Sequence, residues 1–156
     1  MFKELAVALA IVVSPSAFAQ GQETVPALNV SASFAEQHER IRAQFADGET
    51  YSEISREQQT EVQRALGRIE ATLGEAGSVS EMTAQERADL MNDQELVNTI
   101  LTLAREDSRL VCRRETKVGS RRTTTECATV AQRRKTRELS QSELQRGQRT
   151  MLRPSN

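Results

Sequence analysis

Three stretches of the chain repeat apolar residues at intervals of three and four, the spacing that lines one face of an α-helix. Phe34, His38, Ile41 and Phe45 form the first stripe. Ser33 and Glu36 stand before it in capping-box positions, and Asp47 with Gly48 ends it. Tyr51 and Ile54 are predicted to anchor the loop that follows. Val62, Leu66, Ile69 and Leu73 form the second stripe, opened by a Ser55 and Gln58 box and closed by Gly74. A loop through Gly77 and Ser78 leads to Thr83 and Glu86, a third box. The pattern predicts a break at Asn92, where Asn92 and Glu95 repeat the capping chemistry. Leu96, Val97, Ile100, Leu101 and Ala104 then make the densest apolar stripe, predicted to lie at the centre of the bundle.

After Asp107 the period changes. Residues 110–117 and 122–128 are rich in strand formers and are separated by Gly119 and Ser120, which predicts a β-hairpin. With those two residues as the turn, Cys112 falls opposite Cys127. Facing Cα atoms about 4.5–5.5 Å apart suit a disulfide. The same register places Arg113 against Glu126 as an ion pair. Thr129 to Gln132 begins a last helix running towards Arg149. Its apolar residues are few (Val130, Leu139, Leu144), so it is marginal alone and must lean on something.

The first 19 residues read as a signal peptide. Lys3 supplies the charged start, residues 5–13 the apolar run, and Ala17, Phe18 and Ala19 a small-x-small cleavage site. The apolar run is too short to span a bilayer, which takes about 20 residues as helix. The expected product is an exported, periplasmic or secreted chain beginning at Gln20, without a transmembrane segment. Residues 20–31 lack helical periodicity and contain Pro26, and are expected to be a mobile lead.

Composition narrows the fold further. Val, Ile, Leu and Phe number 25 within residues 20–156, about 18%, slightly under the roughly 20% at which disorder competes with folding. The whole chain has a net charge of only −1 and no Trp. A small helical domain with a thin core fits both facts better than disorder. The fold class expected is mainly α with a short hairpin: a bundle of three or four helices, one disulfide-closed hairpin and a basic C-terminal helix. The chain then divides into an acidic helical region (32–108), the hairpin (109–128) and a basic helix and tail (129–156).

The near-neutral total conceals a polarity. Residues 20–108 carry 17 acids and 7 bases, net −10, whereas residues 109–156 carry 4 acids and 13 bases, net +9. Either the two halves attract each other, which needs no partner and is the simpler expectation, or the basic half serves an anionic partner.

Candidate chemistry is sparse. Cys112 and Cys127 are the only cysteines, and their spacing is not that of a CxxC redox pair; a structural staple is expected. His38, the single histidine, lies on an apolar stripe, with no nucleophile motif in the chain for it to activate. Glu86, Asp89 and Asp93 share a helix face, as a solvated face also would. No phosphate loop or metal-ligand spacing is present, so the sequence implies no cofactor and points away from an enzyme. The feature left over is the basic set Arg113, Arg114, Lys117, Arg121, Arg122, Arg133, Arg134, Lys135 and Arg137. Such residues suit an envelope protein or a second copy of the chain; anionic lipid or lipopolysaccharide is the alternative. Nucleic acid is disfavoured, because no aromatic residue follows Tyr51 to stack on bases.

The runs MNDQE (91–95), VN (97–98), DSRLVC (107–112), VGSR (118–121), Cys127 and TVAQ (129–132) carry a resemblance. Over residues 83–135 the chain resembles a group of uncharacterised small secreted proteobacterial proteins with a cysteine-flanked Gly-Ser-Arg hairpin after a short helical region. At position 133, often aromatic in that group, this chain has Arg. The resemblance implies the hairpin and carries no activity with it.

Overall fold

A computed structural model describes residues 26–116 and 118–151. Helices α1 (Phe34–Ala46), α2 (Arg56–Ala76) and α3 (Ala84–Ser108) are followed by strands β1 (Leu110–Thr116) and β2 (Thr123–Thr129), then by helix α4 (Val130–Met151). The fold is mainly helical with one two-stranded antiparallel hairpin, as expected. Residues 1–19, expected from the sequence to be a signal peptide, lie outside the described residues, as do residues 20–25, 117 and 152–156.

The core is built from the predicted stripes. Val62, Leu66 and Ile69 of α2 meet Leu90, Val97, Ile100 and Leu101 of α3, and small Ala65 and Ala104 let the two helices approach. Ile41 brings α1 onto this pair, while Phe34, Phe45 and Leu73 pack at its margin. Tyr51 is buried in the loop before α2 with its ring 5.4 Å from that of Phe45, and Ile54 packs beside it. Burial at roughly 25 cal/mol per Å² of apolar surface makes this cluster the main source of stability.

Helix ends follow local chemistry, with three departures from expectation. The boxes at Ser55–Gln58 and Thr83–Glu86 form with both reciprocal bonds. The Ser33 side chain, however, makes no cap bond. Gln37 instead ties the preceding segment to the helix: its Nε2 donates to Ser33 O at 3.1 Å and to Asn29 O at 2.8 Å. Helix α2 runs past Gly74 to Ala76, and Gly77, at φ +72°, is the residue that can adopt the left-handed turn beyond it. Helix α3 does not break at Asn92. Leu90 and Val97, two turns apart, are both buried on the same side, and that burial outweighs the modest helix penalty of Asn and Asp.

The described part of the segment expected to be a mobile lead, residues 26–31, packs against the helices. Leu28 and Val30 alternate with Asn29 and are 5% and 3% exposed, so they belong to the core. Side-chain amides supply the partners that a neighbouring strand would give. Leu28 N–H donates to Asn98 Oδ1 (2.7 Å), Asn98 Nδ2 donates to Leu28 O (2.9 Å), and Val30 N–H donates to Gln94 Oε1 (2.8 Å). Gln37 completes the strap by accepting the Asn29 N–H at 2.8 Å.

Candidate interaction surface

The hairpin has the predicted register. Leu110 pairs with Thr129, Cys112 with Cys127, Arg113 with Glu126 and Thr116 with Thr123. The cysteines form a disulfide with their Cα atoms 4.0 Å apart. Two finer expectations fail. Strand pairing stops at Thr116 and Thr123, short of a two-residue turn at Gly119 and Ser120. A type I′ turn needs positive φ at both central residues, and here only Gly119 has it, at +83°. Arg113 and Glu126 face each other without a salt bridge.

Alternation along the strands puts Val111, Arg113, Glu115, Glu126 and Ala128 on one hairpin face. The first turns of α4 lie against it. Arg133 reaches across, its Nη2 donating to Val111 O (3.0 Å) and Glu126 O (3.3 Å). Beside this clamp an open groove of about 400 Å³ is lined by Arg113, Glu115, Glu126, Arg133, Thr136 and Arg137.

The root of α4 is held by polar contacts to the body. Thr129 and Gln132 form a capping box: Gln132 N–H donates to Thr129 Oγ1 (3.1 Å), and Thr129 N–H to Gln132 Oε1 (3.3 Å). Glu53, in the loop before α2, accepts from Thr129 Oγ1 (2.7 Å) and Gln132 Nε2 (3.0 Å). Its own N–H donates to Ser108 Oγ at the end of α3 (3.0 Å). Arg134 closes the root with a bidentate pair to Asp107, at 2.8 and 2.7 Å. That hydrogen-bonded guanidinium holds the Asp107 carboxyl below its ordinary value, and the carboxylate raises the Arg134 guanidinium in turn. From Arg134 to Arg149 every residue of α4 is exposed, Leu139 and Leu144 included.

The basic set is therefore split in role. Arg133 and Arg134 hold α4 in place. Arg113, Arg114, Arg121, Arg122, Lys135 and Arg137 are exposed and make no salt bridge among the described residues; Lys117 lies outside them. Among the described residues, salt bridges join the two halves at Arg134–Asp107 and Arg109–Glu106, both at the end of α3. The expected attraction between the halves is thus seen at the end of α3.

The other candidates have local partners. His38 stacks near Phe34, ring centroids 5.5 Å apart, with Nδ1 4.0 Å from Glu70. Glu86 is the Thr83 cap partner, and those bonds lower its carboxyl. Asp89 accepts from Gln85 (3.0 Å), and Asp93 pairs with Arg68. Residue-level reading missed Glu53, Ser108 and the strap amides Gln94 and Asn98. The box at Thr129–Gln132 was recoverable from its T-x-x-Q spacing; Glu53 carried no local signal, because its partners lie more than seventy residues away.

Comparison with protein-family models, with curated proteins and with solved structures finds no match to this chain.

Proposed function

We propose that the protein is a non-enzymatic interaction module that acts after export, in the periplasm or outside the cell. It docks an acidic protein surface through the basic hairpin and α4. The observation that carries this reading is the set of exposed arginines, Arg113, Arg114, Arg121, Arg122 and Arg137, which make no salt bridge among the described residues, on a hairpin held by a disulfide and a helix anchored at its root. Strand pairing, the disulfide and the α4 root fix the backbone that carries these side chains. Long guanidinium side chains on a fixed frame lose less entropy on docking than the same residues in a loose tail. The disulfide suits an oxidising compartment, and no described helix is long and apolar enough to cross a membrane.

The test is capture from an envelope extract with the disulfide-intact protein and with an Arg121→Glu, Arg122→Glu, Arg137→Glu variant, which spares Arg133 and Arg134. The native surface recovers an acidic protein that the reversed one loses at an unchanged melting temperature. Equal recovery by both contradicts the proposal. Binding to anionic vesicles alone, removed by the same reversal, replaces it with the lipid-surface reading.

A further inference from the structure

The charge of this chain is separated along its longest helix. At the N-terminal end of α3 the α2–α3 turn gathers Glu70, Glu75, Glu81, Glu86 and Asp89, all exposed, with Arg87 the only base between residues 70 and 89. The hairpin and the root of α4 stand at the C-terminal end. The 25 residues of α3 place the two poles about 37 Å apart at roughly 1.5 Å per residue. Ionic screening in physiological salt acts over only about 8 Å, so the poles of one molecule do not neutralise each other.

We propose that the acidic partner is a second copy of this chain, with the hairpin and α4 of one copy seated against the acidic α2–α3 turn of the other. This rests on the hairpin and α4 being the docking elements. One sequence carries both complements, net −10 over residues 20–108 and +9 over residues 109–156. Apolar contacts match as well: Leu139 and Leu144 of α4 are 57% and 67% exposed, while Leu73, Ala76 and Val79 at the acidic turn are only half-buried. Two antiparallel copies make both contacts at once, which closes a pair and leaves no open end to extend into a fibre.

Sedimentation velocity of the disulfide-intact protein tests this with two variants that match the parent in far-ultraviolet circular dichroism. One reverses the basic pole (Arg121→Glu, Arg122→Glu, Arg137→Glu) and the other the acidic pole (Glu75→Lys, Glu81→Lys, Asp89→Lys). The parent dimerises in about 20 mM salt and weakens at least tenfold in about 500 mM, the response of a screened contact. Each variant alone is monomeric, and an equimolar mixture restores the dimer. Arg137→Gln and Asp89→Asn give smaller losses in the same direction if a triple variant misfolds. A parent that is monomeric throughout overturns the second copy; if it still captures an acidic envelope protein through its arginines, the docking surface stands. A dimer indifferent to the arginine reversal also overturns it, and the docking surface falls with it only if capture of the acidic envelope protein is equally indifferent.

Discussion

At the scale of single residues, the attachment of α4 depends on a few polar side chains that bond across elements. Glu53 is the acceptor for Thr129 and Gln132. Glu53→Ala removes it and leaves the proton of the buried Thr129 hydroxyl without its acceptor, and is expected to destabilise the protein by about 1–3 kcal/mol in urea denaturation. Glu53→Gln keeps an accepting oxygen and has a smaller effect. Arg133→Lys cannot reproduce a guanidinium that spans two backbone carbonyls, and is expected to speed amide exchange in β1 and in the first turn of α4. Asp107 gives the root a pH dependence. Arg134 holds its carboxyl below the ordinary 3.8, so its contribution to folding is present above that pH and is lost as pH falls through the lower folded value. Acid titration of α4 attachment by hydrogen exchange shows this loss, and Asp107→Asn removes it.

At the scale of elements, the amphipathic stripes of α1, α2 and α3 were legible because burial repeats at helical spacing, and the hairpin register was legible because turn position and cysteine spacing agree. The unbroken α3 was not, since capping chemistry at Asn92 competes with burial of Leu90 and Val97, and only packing decides between them. The strap was also hidden. Two apolar residues around Asn29 are a weak strand signal, and its hydrogen-bond partners sit on a helix more than sixty residues away. Asn98→Asp tests the strap: the carboxylate still accepts from Leu28 N–H but no longer donates to Leu28 O, so the Leu28 and Val30 amides are expected to exchange faster while α2 is unchanged. The hairpin depends on a different constraint. Its residues are mostly exposed, so Cys112→Ser with Cys127→Ser is expected to cost about 3 kcal/mol of chain entropy, felt in the hairpin and the α4 root. Loss of exchange protection in β1 and β2 with α2 and α3 preserved is the expected pattern.

At the scale of the whole molecule, the polarity of charge visible in the sequence becomes a separation in space. An acidic helical body ends in a basic hairpin and helix, joined where Glu53, Ser108 and Asp107 meet Thr129, Gln132 and Arg134. The sequence showed the imbalance but not its geometry, because the distance between the poles is set by the unbroken length of α3. Nor did it separate the arginines that hold α4 from those left exposed, since that distinction depends on backbone carbonyls and carboxylates brought together from other elements.

The central claim is that the hairpin and α4 form the docking surface. Hydrogen exchange of the disulfide-intact protein, free and loaded with the acidic protein it captures, tests this most directly. Slowed exchange confined on the basic half to β1, β2 and α4 is the predicted result. Slowed exchange on α1 or the N-terminal strap, with the hairpin and α4 exchanging as in the free protein, contradicts it.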